Sequence, residues 1–302
     1  VDFYLLAQFN NTGHVWVVVL FHDLQLVSRI LQRKSHRDDI PEPSWQTSTK
    51  SCTSVDAALT SFDGHPALVE LRMLTTAAER FGIGNPFFKM HEGAGGSVTQ
   101  INGKEYLNFS HCNYLGLNGH PEVNKAVKEA VERYGTSAGA SRLVAGERPV
   151  QRALEKALAD VYGVDDCVVF VSGHATNVST ISTLFGPGDL ILHDSLIHNS
   201  VLEGIRLSRA ARRPFPHNDL NALDTLLAAS RTQYKRTLIV AEGLYSMDGD
   251  LPDLPALVDI KRRHGAFLML DEAHSLGVLG ATGRGLVDKT RRGKLQNVHQ
   301  CL

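Results

Sequence analysis

Four short apolar runs in this chain each end in residues that could do chemistry. Cys167-Val168-Val169-Phe170-Val171 leads into Ser172-Gly173-His174-Ala175-Thr176-Asn177. Leu190-Ile191-Leu192 leads into His193-Asp194-Ser195-Leu196-Ile197-His198-Asn199-Ser200. Thr237-Leu238-Ile239-Val240-Ala241 leads into Glu242-Gly243-Leu244-Tyr245-Ser246-Met247-Asp248-Gly249-Asp250. Ala266-Phe267-Leu268-Met269-Leu270 leads into Asp271-Glu272-Ala273-His274. A glycine ahead of a helix start lets backbone N–H groups approach an anion, and the helix dipole favours negative charge there. Gly173 and His174 are therefore phosphate candidates, although an ordinary turn before a helix has the same wording. His193 and His198 could act as bases, ligands or rings stacked on a planar group. The acidic and hydroxyl groups from Glu242 to Asp250 suit polar recognition, although Asp248-Gly249 could equally be a simple turn. A carboxylate at Asp271, where Leu270 leaves the core, is costly to bury without a cationic partner.

Three chemistries compete for Asp271-Glu272-Ala273-His274. A helicase-like box requires an upstream phosphate loop of the form G-x-x-x-x-G-K-[ST], and the chain has none. A metal site would draw on Asp271, His274, His193 and His198, types that suit zinc or manganese, but no H-E-x-x-H or comparable spacing accompanies them. A pyridine-ring cofactor would use the carboxylate to hold a protonated ring nitrogen, making the ring an electron sink. With phosphate at Gly173-His174 and His198 stacked on the ring, that reading employs all four loops.

The elements that must carry these loops follow from the patterning. Between the apolar runs lie helical stretches at 175–185, 198–209, 219–230 and 254–264. Continuous apolar strands alternating with helices indicate a parallel sheet covered on both faces, with ligands at the carboxyl ends of its strands. Ahead of them, 121–134 predicts a helix with Val123, Ala126, Val127, Ala130 and Val131 on one face and Pro121 at its first position. A second helix is predicted over 149–162, with Leu154, Ala157, Leu158 and Val161 on one face and Gly163 as its stop. Ile101 to Leu107 reads as a small hairpin turning at Asn102-Gly103.

The chain has 302 residues, with 31 Lys and Arg against 32 Asp and Glu, and 43% hydrophobic residues. That composition excludes bulk disorder and coiled coil, and its near-neutral charge steers toward neither nucleic acid nor membrane. Residues 33–65 are rich in Ser, Thr, Asp and Pro and read as a linker or weakly ordered region, followed by a short helix within 66–80. Val15 to Phe21 is too short for a bilayer span, which needs ~20 apolar residues, and reads as a strand or interfacial segment. The expected organisation is an extension over 1–83, a large domain over 84–286 and a polar tail over 287–302. Cys52, Cys112, Cys167 and Cys301 form no C-x-x-C pair, so free thiols in a reducing compartment are expected. The expectation is a soluble, cytoplasmic protein with no membrane span, no nucleic-acid partner and no metal.

The stretch from Gly84 to Leu286 resembles the α-oxoamine synthases, fold-type I pyridoxal-phosphate enzymes. The matching pieces are Asn113-Tyr114-Leu115-Gly116-Leu117, Ser141-Arg142-Leu143-Val144-Ala145-Gly146, Ser172-Gly173-His174-Ala175-Thr176-Asn177, His198-Asn199-Ser200, Glu242-Gly243-Leu244-Tyr245-Ser246-Met247-Asp248-Gly249, Asp271-Glu272-Ala273-His274 and Gly280-Ala281-Thr282-Gly283-Arg284-Gly285. They cover about two thirds of the chain, and the Gly173-His174-Ala175-Thr176-Asn177-Val178-Ser179 wording is most similar to the serine palmitoyltransferase-like branch. The resemblance implies an α/β large domain with a mainly parallel, seven-stranded-type sheet. It also implies decarboxylative condensation of an amino acid with an acyl-CoA or acyl carrier protein thioester to an α-amino ketone, in a homodimer. Serine is the first choice of amino acid, then glycine or alanine. Asp271, His198 and His274 would be catalytic. Asp271 would keep the pyridine nitrogen protonated and His198 would stack on the ring. His274 and Ser246 would bond near the ring hydroxyl, Gly173 and His174 would hold the phosphate, and Asn113 would place the substrate carboxylate.

Three features depart from the family pattern. Cys112 stands where relatives often carry Asn or Tyr, and Gln151 where a His is common. The family's Schiff-base lysine lies in a T-[LF]-S-K motif beyond the aspartate, and that motif is not in these residues. Lys289 and Lys294 lie in the run Lys289-Thr290-Arg291-Arg292-Gly293-Lys294, which reads as an exposed basic tail instead. The resemblance therefore implies a large domain incomplete at its C-terminal side, with a lysine-free partner subunit as the alternative.

Overall fold

The computed structural model describes residues 3–9, 15–21, 59–85 and 87–290. The expected linker falls mostly outside them, as do Lys294 and the rest of the tail from 291 on. In chain order the elements begin with β1 (Phe3–Phe9), β2 (Val15–Phe21), α1 (Pro66–Arg80), β3 (Val98–Ile101) and β4 (Lys104–Leu107). Next come α2 (Pro121–Tyr134), α3 (Pro149–Tyr162), β5 (Asp166–Phe170), α4 (Gly173–Leu184), β6 (Leu190–Asp194), α5 (Asn199–Ser208) and β7 (Ala211–Phe215). The last are α6 (Leu220–Ser230), β8 (Thr237–Glu242), α7 (Leu254–His264), β9 (Phe267–Asp271) and α8 (Leu286–Thr290).

The chain divides into two compact units. The smaller contains residues 59–108: helix α1 and the β3–β4 hairpin. Asn102 and Gly103 turn that hairpin with φ of 52° and 71°, the left-handed pair that a two-residue turn requires. The larger unit contains β1, β2 and everything from Phe109 onward, and it holds all the chemistry proposed above.

Its sheet has seven strands in the order β5-β2-β1-β9-β8-β6-β7. Strand β2 runs antiparallel to both neighbours, and the other pairings are parallel. Val15 to Phe21 is thus a sheet strand rather than an interfacial segment, and it joins β5 to the remainder. Successive side chains on the inner strands alternate between two apolar cores, as strand geometry demands. Leu190, Leu192, Ile239, Ala241, Leu268 and Leu270 pack with helices α3, α6 and α7. Ile191, Leu238, Val240 and Met269 pack on the other side with Ile181, Phe185, Val201 and Ile205 of the α4–α5 region.

The edge strand β7 escapes the hydrophobic pattern. Its sequence Ala-Arg-Arg-Pro-Phe carries exposed arginines and a proline, which only an edge tolerates. Elsewhere local signals and elements agree. Gly163 and Gly265 end α3 and α7 in the left-handed conformation, and Ser172, Asp219 and Asp253 cap α4, α6 and α7. Gln151 has a structural reason to depart from histidine: its Oε1 accepts the N–H of Arg148 at 2.7 Å and caps α3.

Helices α4 and α5 approach closely at Gly204. A Cβ there would lie 2.9 Å from the Asn177 carbonyl oxygen and 3.0 Å from Ile181 Cβ, so backbone rather than a flexible side-chain end would have to move. Gly204→Ala is therefore expected to lower stability by ~1 kcal/mol or more in urea unfolding, because overpacking outweighs the gain in helix propensity. A variant as stable as the parent would show spare room between the helices.

Candidate active site

Every loop singled out in the sequence leaves the carboxyl end of a strand of the larger unit. Ser172 caps α4 directly after β5, its Oγ accepting the N–H of Ala175 at 3.0 Å. Gly173 and His174 therefore occupy the first two helical positions, where backbone N–H groups have no intrahelical acceptor. His198 caps α5 after β6, Ser246 follows β8, and Asp271 is the last residue of β9.

Asp271 is only 6% exposed. Its Oδ1 accepts the N–H of Ala273 at 3.0 Å and its Oδ2 accepts Asn177 Nδ2 at 3.0 Å. Among the described residues no cationic side chain pairs with it. Glu242 ends the adjacent strand directly beside Asp271 in the β8–β9 register and is also buried. Burial first, and then the Asp271 charge, push its carboxyl up to about 8. The backbone N–H groups of His198, at 2.8 Å, and of Ser246 both donate to this carboxyl and partly offset the rise. One acid thus holds two candidate loops.

His274 lies half-buried just past Asp271, with Nδ1 2.8 Å from the hydroxyl of Tyr114. Burial lowers its pKa, the charge of Asp271 opposes that, and His198 lowers it further. Asp271, His198 and His274 accordingly share one electrostatic neighbourhood. Asn113 sits one residue before Tyr114, and its Oδ1 accepts the N–H of Asn118 at 3.0 Å. The loop carrying Ser246 is tied down at Asp250. His217 bridges Asp250 at 2.8 Å and the buried Asp194 at 2.9 Å. Burial lowers the His217 pKa, but its bonds to the two carboxylates outweigh that and raise the net value.

His193, a ligand or base candidate from its sequence position, is buried and engaged. Its Nδ1 meets the Asp194 carbonyl oxygen at 2.7 Å and its Nε2 accepts Arg212 Nε at 2.9 Å. That arrangement makes it a neutral core residue. Among the described residues no group of three or more His, Cys, Asp or Glu is placed to hold a metal ion. Asn177, Ser200, Glu242 and Tyr114 are site residues whose motifs were visible in the sequence but whose individual roles were not. Glu242 carried the same signal as Asp271, an acid closing an apolar run.

The protonation of Glu242 links the site to stability. Folded protein holds a proton there between pH 4.5 and about 8 that the unfolded chain has released, so stability falls as pH rises through that window. Glu272, buried directly after Asp271 and raised to about 7 chiefly by burial, acts in the same direction. Glu242→Gln keeps an acceptor but cannot ionise. Relative to wild type it should gain on the order of 1–3 kcal/mol between pH 5 and pH 9. Urea midpoints at the two pH values measure this, and a difference independent of pH would contradict it.

Comparison with known proteins places this geometry. Residues 104–298 match the family described as aminotransferase class I and II. The 8-amino-7-oxononanoate synthase of Geobacter sulfurreducens is 49% identical over 197 residues, covering 65% of this chain and 50% of that protein. The chain spans about half the length of the curated relatives it matches. A serine palmitoyltransferase variant from S. paucimobilis, solved with a bound PLP–myriocin aldimine, superposes with a TM-score of 0.71 at 32% identity. That match covers 74% of this chain and 56% of the other. The 8-amino-7-oxononanoate synthase of Francisella tularensis superposes with a TM-score of 0.52 at 30% identity, covering 61% and 50%. The cofactor of this family is pyridoxal phosphate, and the fold is that of fold-type I transferases. With its acid-tipped parallel strands and its matches to both synthases, the chain belongs to the aminotransferase class I and II family and, within it, to the α-oxoamine synthases.

Proposed function

We propose that this chain forms the cofactor-binding half of an enzyme that condenses an amino acid with an acyl thioester, releasing carbon dioxide and an α-amino ketone. The observation that carries the reading is Asp271: a carboxylate 6% exposed, bonded only to neutral N–H donors, at the open end of a parallel strand. Such a group is costly unless a positive charge joins it. A protonated pyridine nitrogen satisfies that requirement, so the residues present fit pyridoxal phosphate.

The chain's own residues divide the work. Asp271 would hold the proton on the ring nitrogen. His198, exposed at the rim beside it, would support the ring face. The first-turn N–H groups of Gly173 and His174 would donate to the phosphate oxygens at the positive end of α4. Ser246 and His274 would bond the ring hydroxyl, with Tyr114 orienting His274 through the 2.8 Å contact. Asn113, on the same segment as Tyr114, would receive the substrate carboxylate. When bound, the cofactor supplies an electron sink that stabilises negative charge on the amino acid. Serine is the proposed amino acid, with glycine or alanine next. The proposed acyl donor is a CoA or acyl carrier protein thioester, and the proposed working form is a cytoplasmic homodimer. Among the described residues no helix is long and apolar enough to cross a membrane.

Equilibrium dialysis with pyridoxal phosphate tests the site. Asp271→Asn should weaken retention about 10- to 100-fold, the worth of a hydrogen bond to a charged group. His198→Ala should weaken it several-fold. Unchanged affinity in both would overturn the assignment. Release of labelled carbon dioxide from carboxyl-labelled serine, glycine or alanine in the presence of acyl-CoA tests the reaction. Retention of cofactor without such release, alone or with any partner subunit, would leave the binding site standing and remove the condensation.

A further inference from the structure

Two buried side chains connect Asp271 to His198. Asn177 is 1% exposed, with Nδ2 3.0 Å from Asp271 Oδ2 and 2.8 Å from Ser200 Oγ. Ser200 is fully buried, with Oγ 2.6 Å from His198 Nδ1. Each hydrogen-bond direction along this path is forced. An ionised carboxylate only accepts, so the amide must turn its NH₂ toward Asp271. Asn177 Oδ1 is buried with no hydrogen-bond partner, so nothing on that side competes for the orientation. The second N–H of the amide goes to Ser200 Oγ, which accepts it and keeps its own proton to donate. The backbone N–H of Ser200 also points at His198 Nδ1, at 3.2 Å. Nδ1 therefore carries the lone pair and Nε2 the ring proton.

We propose that Asn177 and Ser200 are positioning residues that form a polarity relay, through which the ionised Asp271 fixes His198 as the Nε2–H tautomer. The relay's use at a cofactor rests on the function proposed above, but the relay itself is a property of the protein. It would couple the acid facing the ring nitrogen to the histidine facing the ring. Reversing it requires a donor at position 271. The Asn177 amide then turns over, Ser200 donates to Asn177 Oδ1, and Ser200 Oγ accepts a proton borne on His198 Nδ1, at the cost of the longer 3.2 Å bond from the Ser200 backbone N–H to Nδ1.

The test uses the 302-residue chain labelled with ¹⁵N,¹³C-histidine, without added cofactor. Ring-nitrogen correlation spectra separate protonated from unprotonated Nδ1, and a His198→Gln spectrum identifies the signal among the 14 histidines. Wild type should show Nε2–H. Asp271→Asn should raise the Nδ1–H share about threefold or more, since the whole chain of bonds reverses together. Combined with Asn177→Leu, the same substitution should no longer change it. Combined with Ser200→Ala, which retains the backbone N–H to Nδ1, it should again have no effect. This second pair decides the matter if the leucine variant does not fold. An Nδ1–H histidine in wild type, an unmoved tautomer in Asp271→Asn, or a shift that survives loss of the relay would each overturn the proposal. Loss of pyridoxal phosphate retention in Asp271→Asn with no tautomer change would sink the relay and leave the proposed function intact.

Discussion

A carboxylate at the tip of a buried parallel strand carries a charge that the sheet around it cannot solvate. Here two such acids, Asp271 and Glu242, stand side by side at the ends of β9 and β8. The surrounding structure resolves their repulsion unequally. Glu242 receives two backbone N–H groups yet is pushed up to about 8, so it holds its proton near neutrality. Asp271 receives a carboxamide and one backbone N–H. Neither is neutralised by a described lysine or arginine. The site is thus built to leave one negative charge facing its mouth, and the placement of the histidines and the α4 N-terminus follows from that charge.

The scaffold keeps this arrangement rigid through alternation. One set of strand residues anchors α6 and α7 and the other anchors α4 and α5, so the loops between them have little freedom. The close crossing at Gly204 brings Asn177 on α4 next to Ser200 on α5. Packing therefore does more than stabilise: it sets which polar atoms meet. The network around Arg142 acts similarly on the other flank. Its guanidinium bonds Glu147, the buried Glu155 and the Val169 carbonyl oxygen, fixing the turn before α3 to β5.

The strands and helices of the sheet region could be read from the sequence because their local and global signals agree. Helices 121–134 and 149–162 have the bounds that proline at the start and glycine at the end dictate. The strand ending in Asp271 was legible for the same reason, as a five-residue apolar run closed by an acid. Strand β7 was not, because Arg212, Arg213 and Pro214 face an edge and bury nothing. The partners of Asp271 were illegible for a different reason. Asn177 lies 94 residues away and looks like any polar residue in a helix's first turns. Only the crossing of α4 over α5 makes it a ligand of the acid. Sequence pattern thus marks where a charged group must leave the core, while its neutral supports are chosen by packing.

Glu242 has a consequence for how such a site changes over generations. One carboxyl accepts from the backbone of both His198 and Ser246. Neither loop can shift without altering the hydrogen bonds of the other, so substitutions in the two are coupled rather than additive. A loop grafted from a relative into one position would meet an acid still shaped for the resident loop at the other. Divergence here is therefore constrained to paired steps, and the two loops form a single heritable module although 44 residues separate His198 from Glu242.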